Sequence, residues 1–220
     1  MSRIRQEFKD VISENEINSI EGLVRMYQRY HAGLNEIGTK LENLDDDFRV
    51  NHDYSPIHSM ESRMKSPESL IFKLRRKKLL PSVENIKNNI FDVAGVRVVT
   101  GYIDDVYTVA GMLKRQNDLK VLLEKDYIKH PKENGYRSLH MILSVPIFQT
   151  DGVFDIPVEI QFRTIGMDFW ASLEHDLVYK NNLDKNLKKK YQSDLTGYAE
   201  DLNNMDQKMR IIFSNLHPDR

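Results

Sequence analysis

Two stretches of alternating residues, 136–145 and 156–163, constrain this chain most. In the first, Leu139, Met141, Leu143 and Val145 recur at every second position. Tyr136, Ser138 and His140 occupy the positions between. In the second, Val158, Ile160 and Phe162 alternate with Glu159, Gln161 and Arg163. Side chains of a strand point to opposite faces with period 2, so each stretch reads as a strand with one apolar and one polar face. If the two strands pair, one sheet face carries a phenol, an imidazole, a carboxylate, an amide and a guanidinium. A solvated face would also be polar, but it usually carries Thr, Lys and Glu rather than this mixture.

The rest of the chain frames that sheet. Residues 1–50 read as helical. Ile20, Leu23, Tyr27, Tyr30, Leu34, Ile37, Leu41 and Leu44 recur at spacings of three and four, an a/d stripe. Gly22, Gly33 and Gly38 each weaken that helix by about 1 kcal/mol relative to Ala. From Asn186 a second long helix repeats the pattern through Tyr191, Leu195, Tyr198, Leu202, Met205, Met209, Ile212 and Leu216. Two matched stripes predict helix–helix pairing, within the chain or between subunits; packing of each helix on its own domain is the alternative. Residues 51–62 read as a loop containing His52-Asp53. Ser82 opens a short helix over 83–90, followed by a strand over 91–99. Asp104-Asp105 caps a helix to about Lys114, with Val106, Val109 and Leu113 as its buried side. A strand runs over 120–128, residues 146–155 connect the two central strands, and a helix follows Thr164.

Residues 63–78 hold the strongest charge bias: seven Lys or Arg against the single Glu68. Ser66-Pro67 is a helix start, with Ser as cap and Pro in the first turn. On that helix Ser69, Lys73 and Arg76 share one face. A helix N-terminus with a basic stripe suits a triphosphate, although a solvated basic face has the same composition. Asp92 stands at a strand entrance and suits Mg²⁺, a hard ion that takes oxygen ligands. Strict alternation puts Asp92 and Arg97 on opposite faces, so either Asp92 precedes the regular strand or Gly95 marks a bulge. Tyr136 offers a ring for stacking on a base. No P-loop or kinase glycine loop occurs.

Lys132, Asn134, Gly135, Tyr136, Ser138 and His140, then Glu159, Gln161 and Arg163, resemble the guanosine-side motif of the RelA/SpoT-type alarmone synthetases. The run Trp170-Ala171-Ser172-Leu173-Glu174-His175 resembles that family too, which gives His175 a structural or site-edge role rather than a catalytic one. The resemblance spans most of residues 58–180. It implies an α/β (α+β) fold, a nucleotidyltransferase-like mixed β-sheet flanked by helices, with long N- and C-terminal helices. The chain reads as one synthetase domain over 1–220: N-terminal helices over 1–50, a catalytic core over 58–180 and a C-terminal helix over 186–216. The implied reaction is transfer of pyrophosphate from ATP to the 3′-hydroxyl of GDP or GTP, a GTP diphosphokinase of the stringent response.

By the same resemblance, Arg63 and Arg97 sandwich adenine, and Lys65, Ser69, Lys73 and Arg76 hold phosphates. Lys132, Asn134, Tyr136, Ser138, His140, Gln161 and Arg163 take GDP or GTP. Asp92 holds the catalytic Mg²⁺. Glu159 activates the 3′-hydroxyl as general base, joins Asp92 at the metal, or does both in turn. The implied assembly is a homo-oligomer, a tetramer. His52-Asp53 resembles the dipeptide of hydrolase domains in long relatives but lacks further ligands at helical spacing, so synthesis without hydrolysis is expected. The alternatives are a pyrophosphokinase acting on adenine nucleotides or the tRNA 3′ end, and a non-catalytic RNA-binding module using residues 63–78.

Composition narrows the class. A formal net charge of −1 gives no global attraction to nucleic acid or membrane, and the absence of Cys removes disulfides and thiolate chemistry. No apolar run is long enough to span a bilayer and the N-terminus has no signal core, so a cytoplasmic protein is expected. With 40% hydrophobic residues the chain can bury a core.

Overall fold

The computed structural model describes residues 2–12, 20–179 and 185–218. Its centre is a five-stranded sheet. The strands are β1 (Ile57–Met64), β2 (Ala94–Thr100), β3 (Lys120–Asp126), β4 (Leu139–Gln149) and β5 (Gly152–Thr164), in the order β1-β2-β5-β4-β3. β2 and β5 are parallel, and the other neighbours are antiparallel. This mixed sheet is the expected one, and its register gives the expected faces. Leu139 lies opposite Phe162, Met141 opposite Ile160 and Leu143 opposite Val158. All six are at most 1% exposed. Val96 and Val98 extend the same apolar layer from β2.

One long helix, α2 (Ile20–His52), covers that layer. Ile20, Leu23, Tyr27, Tyr30, Leu34, Ile37 and Leu41 are all buried, so the N-terminal stripe packs on the chain's own sheet. Gly33 permits the close approach: a Cβ there would meet the Ile156 side chain at 3.0 Å. The glycine that weakens the helix as an isolated segment is therefore what seats it. α1 (Ser2–Val11) packs beside it, with Phe8 edge-on to Tyr27 at 5.9 Å. α4 (Val83–Asn89) follows Ser82 as expected. α5 (Ile103–Lys114) buries Val106, Val109 and Leu113 as expected, but Tyr102 is its N-cap residue and the two aspartates sit in its first turn.

The C-terminal helix α7 (Lys185–Leu216) behaves differently. Leu195 is buried and Leu202 partly so, against Trp170 and Ala171 of α6 (Ile165–Glu174). Tyr191, Tyr198, Met205, Met209, Ile212 and Leu216 are exposed. The sheet offers one large apolar face, and α2 already occupies it. The two stripes therefore do not satisfy each other within one chain.

Other departures are local. Residues 57–62, read as loop, form most of β1. The strand is an edge that buries only Ile57 outright, so its side chains show no alternation. Backbone pairing to β2 along Ile57–Met64 defines it. The connection expected over 146–155 shrinks to Thr150-Asp151, because β4 and β5 continue as a hairpin to Gln149 and from Gly152. Tyr136–Ser138 precede β4 rather than belonging to it, and β3 ends at Asp126.

Candidate active site

The two basic elements converge on one carboxylate. Ser66 caps α3 (Pro67–Arg76) by accepting the backbone N–H of Ser69 at 3.2 Å, with Pro67 in the first turn, as its sequence predicts. The helix then turns Lys73 toward Asp92, while Lys65 arrives from the segment just after β1. Lys65 Nζ donates to Asp92 Oδ2 and Lys73 Nζ to Asp92 Oδ1, each at 2.8 Å. Burial alone would raise the Asp92 carboxyl, but the hydrogen bonds and charges of the two lysines hold it below the usual aspartate value. Asp92 precedes the regular strand, and the β1–β2 register runs unshifted through Gly95. No bulge is needed to bring Asp92 and Arg97 to one site.

Strand register assembles the other half. In the parallel pair β2–β5, Gly95 lies beside Glu159 and Arg97 beside Gln161. Asp92, Glu159, Arg63, Lys65, Arg97 and Gln161 consequently line one cavity, with Glu61 at its rim. Ser69, Lys73 and Arg76 line an adjoining concavity of about 740 Å³, which shares Lys65 with the first. The expected ATP residues thus fall into two connected hollows, Arg63 and Arg97 in one and the α3 face in the other. Arg97 Nη1 donates to Glu61 Oε2 at 3.1 Å.

On β4 and β5 the polar face closes into a ring of hydrogen bonds. Arg163 Nη2 donates to Tyr136 Oη at 2.9 Å and to Gln161 Oε1 at 3.0 Å. Tyr136 Oη lies 2.8 Å from His140 Nε2. His140 Nδ1 lies 3.2 Å from Glu159 Oε1, and Gln161 Nε2 donates to Glu159 Oε2 at 3.0 Å. An ionised carboxylate only accepts, so His140 presents an Nδ1–H to Glu159, and in that neutral tautomer its Nε2 accepts the Tyr136 O–H. Every donor in the ring then points, directly or in relay, at Glu159. Burial would raise the Glu159 carboxyl and so would the charge of Asp92, yet the bonds from His140 and Gln161 keep it below the usual glutamate value. The site therefore holds a partly buried, ionised carboxylate facing the cavity that Asp92 and the basic residues line.

A loop completes this half. Gly135 has φ +88°, and Lys132 O accepts its N–H at 2.8 Å. Asn134 Oδ1 accepts the Tyr136 N–H at 3.2 Å, while its Nδ2 donates to Glu174 at 3.3 Å. Lys132 Nζ stands 4.5 Å from the Tyr136 ring centre and 4.7 Å from that of Tyr127. α7 clamps the loop from outside. Arg137 Nη2 donates to Glu200 at 2.7 Å, and Trp170 Nε1 donates to Leu195 O at 2.7 Å. At the end of β5, Thr164 Oγ1 donates to Asp206 Oδ2 at 2.5 Å. Burial pushes the Asp206 carboxyl up, against the lowering effect of that bond.

Of the expected residues, Ser138 stands apart. It is fully buried and its hydroxyl donates to Phe162 O at 2.9 Å, so it clips the strand entrance rather than facing the cavity. His175 is exposed, on the single π-helical turn that follows α6. Sequence reasoning missed Asp168 and Tyr127. Asp168 accepts from Arg163 Nη1 at 2.9 Å, and the Tyr127 ring stands edge-on to His140 at 5.2 Å. The position of Asp168 in the first turn of α6, five residues after Arg163, was the available signal.

Comparison with known proteins is specific. Residues 62–184 match the family model described as the region found in RelA / SpoT proteins. GTP pyrophosphokinase YwaC of Bacillus subtilis (strain 168) is 42% identical over 180 residues, 82% of this chain and 85% of that protein. GTP pyrophosphokinase YjbM of the same organism is 34% identical over 184 residues, 83% of this chain and 84% of its own. The crystal structure of small alarmone synthetase 1 from Bacillus subtilis bound to its product pppGpp superposes with a TM-score of 0.78. It is 31% identical and covers 90% of this chain and 99% of that one. Sequence, fold and the polar face of the sheet agree: the chain belongs to the RelA/SpoT family.

Proposed function

We propose that this protein is a (p)ppGpp synthetase, transferring the β,γ-pyrophosphoryl group of ATP to the 3′-hydroxyl of GDP or GTP. One observation carries the reading. The hydrogen-bonded ring Arg163–Tyr136–His140–Glu159–Gln161 delivers an ionised carboxylate to the wall of a cavity lined by Arg63, Lys65, Asp92 and Arg97. Phosphoryl-type transfer needs a charge-neutralised electrophile and an aligned nucleophile, and little else. The Tyr136 ring and Lys132 form the acceptor side, where guanine stacks and its phosphates are neutralised. Arg63 and Arg97 flank adenine, while Lys65, Ser69, Lys73 and Arg76 take the ATP phosphates. Glu159 accepts the proton of the 3′-hydroxyl. A bond forms between the 3′-oxygen and the β-phosphorus, the bond from the β-phosphorus to the bridging α–β oxygen breaks, and AMP leaves with that oxygen.

Two ionised carboxylates on one cavity wall fit Mg²⁺, which is held by one or two carboxylates together with substrate phosphates. Asp92 and Glu159 would hold it, Lys65 and Lys73 yielding Asp92 oxygens to it. Bound there, the ion neutralises phosphate charge. The exposed residues of the α7 stripe, Tyr191, Tyr198, Met205, Met209, Ile212 and Leu216, support a homo-oligomer, which we read as a tetramer. No helix among the described residues is long and apolar enough to cross a membrane, in keeping with work in the cytoplasm.

The test is incubation of purified protein with γ-labelled ATP and GDP, GTP or ADP. Labelled guanosine product and AMP in equal amounts are expected, with ADP inert as acceptor. Glu159→Gln abolishes transfer while ATP binding persists. Comparable use of ADP, or near wild-type turnover by Glu159→Gln, overturns the reading.

A further inference from the structure

Asp168 touches both halves of the site through a single oxygen. Its Oδ1 accepts from Arg163 Nη1 at 2.9 Å and lies 3.4 Å from Arg97 Nε. The second contact is an ion pair without hydrogen-bond geometry: Arg97 Nε is buried and has no hydrogen-bond partner among the described residues. Arg163 belongs to the ring that ends on Glu159, and Arg97 lines the cavity with Arg63 and Lys65. The two arginines stand on adjacent parallel strands, Arg97 beside Gln161 and Val99 beside Arg163. Asp168 comes from a third element, the first turn of α6, and its side chain is 25% exposed. The helix itself is fixed at that end by Thr164, whose Oγ1 accepts the Met167 N–H at 3.1 Å.

Resting on the reading just given, we infer that Asp168 is a positioning residue that couples the two nucleotide sites. One carboxylate oxygen shared by two guanidiniums cannot serve both equally. A nucleotide that draws Arg97 onto its base shifts the oxygen's charge toward Arg163, which tightens the hold on Tyr136 and Gln161. Occupancy of the acceptor side acts on Arg97 through the same atom. Coupling of this kind is reciprocal: each nucleotide changes the affinity of the other by the same factor. Among the described residues Glu61 is the other acidic partner of Arg97 and does not pair with Arg163, so it orients one arginine only.

The experiment measures the Kd of a non-hydrolysable ATP analogue with and without GDP, and of GDP with and without the analogue, in wild type and Asp168→Asn. Asn keeps the side-chain volume and removes the charge. Wild type is expected to show a coupling factor of about fivefold or more, equal in both directions. Asp168→Asn should bring that factor to near one and raise the KM of both nucleotides; it also leaves the buried Arg163 guanidinium without its carboxylate and lowers the melting temperature, so both Kd values are measured below the onset of unfolding. Glu61→Gln should change the ATP KM and leave the coupling factor intact. Coupling in Asp168→Asn equal to wild type, or a wild-type factor of one, overturns the inference. Failure of wild type to make labelled product would instead sink the synthetase reading, so the two failures are separable. A variant that lowers kcat alone, with both KM values and the coupling unchanged, also overturns it.

Discussion

Replacing Gly135 with Ala tests how the acceptor loop is held. Gly135 has φ +88°, and a Cβ built there would lie 2.7 Å from Ala199 Cβ and 3.3 Å from Thr196 Cα of α7. Two costs follow. A residue with a Cβ in the left-handed region is strained by about 1–2 kcal/mol. The overlap with α7 adds about 1–3 kcal/mol, because a helix backbone cannot yield as a flexible side chain can. Gly152→Ala is the control: its φ is +134°, but nothing lies within 4 Å of its Cβ position. It bears only the strain. Trp170 is the single tryptophan, it is buried, and its indole N–H donates to Leu195 O of α7. Its fluorescence therefore reports helix docking directly during urea unfolding. Gly135→Ala is expected to lose about 1–3 kcal/mol more than Gly152→Ala, and to raise the GDP KM while leaving the ATP KM nearly unchanged, since Lys132, Asn134 and Tyr136 share its loop. Equal stability losses in the two variants, or equal rises in both KM values, would refute the reasoning.

Asp92→Asn leaves the ammonium groups of Lys65 and Lys73 without the carboxylate they share, a loss of about 1–3 kcal/mol at neutral pH. Because the folded Asp92 value lies below the unfolded one, its stabilisation is complete above the ordinary aspartate value of 3.8 and is lost as pH falls through the folded value. Denaturation curves of the two proteins should therefore converge in strong acid, and a gap that persists there removes the ion pairs as its cause. Tyr136→Phe keeps the stacking ring but removes the hydroxyl that links Arg163 and His140, so kcat should fall with little change in GDP KM. Tyr136→Ala should also raise the GDP KM by roughly 5- to 150-fold, from a stacking loss of about 1–3 kcal/mol. Identical GDP KM values for Phe and Ala would remove the ring as a stacking surface. Met205 and Met209 are exposed, whereas Leu202 packs on its own domain. The double change Met205→Glu and Met209→Glu should lower the molar mass seen by light scattering and keep the Trp170 signal. A wild-type monomer at micromolar concentration would return the stripe of α7 to ordinary exposed surface.

Alternation along 139–145 and 156–163 was sufficient to define both faces of the central sheet, because a side-chain period of two leaves one register in which apolar residues meet apolar residues. The Ser66-Pro67 cap of α3 and the buried side of α5 were legible for a similar reason: caps and stripes are local chemistry. β1 was invisible because an exposed edge strand carries no pattern and exists through its partner's backbone. The fate of the two heptad stripes was also undecidable from spacing. Both look alike as sequences, but only one could lie on the sheet, and the close approach at Gly33 gave that place to α2. The candidate site shows the same division. Residue types and order pointed to Asp92, Glu159 and the basic segment. Whether Asp92 faces Glu159 depended on where β2 begins, and that Arg97 and Arg163 share Asp168 depended on three elements separated in the chain. Long-range register and the seating of α6 decided those contacts, because no local periodicity encodes a distance between side chains that meet only after the sheet has formed.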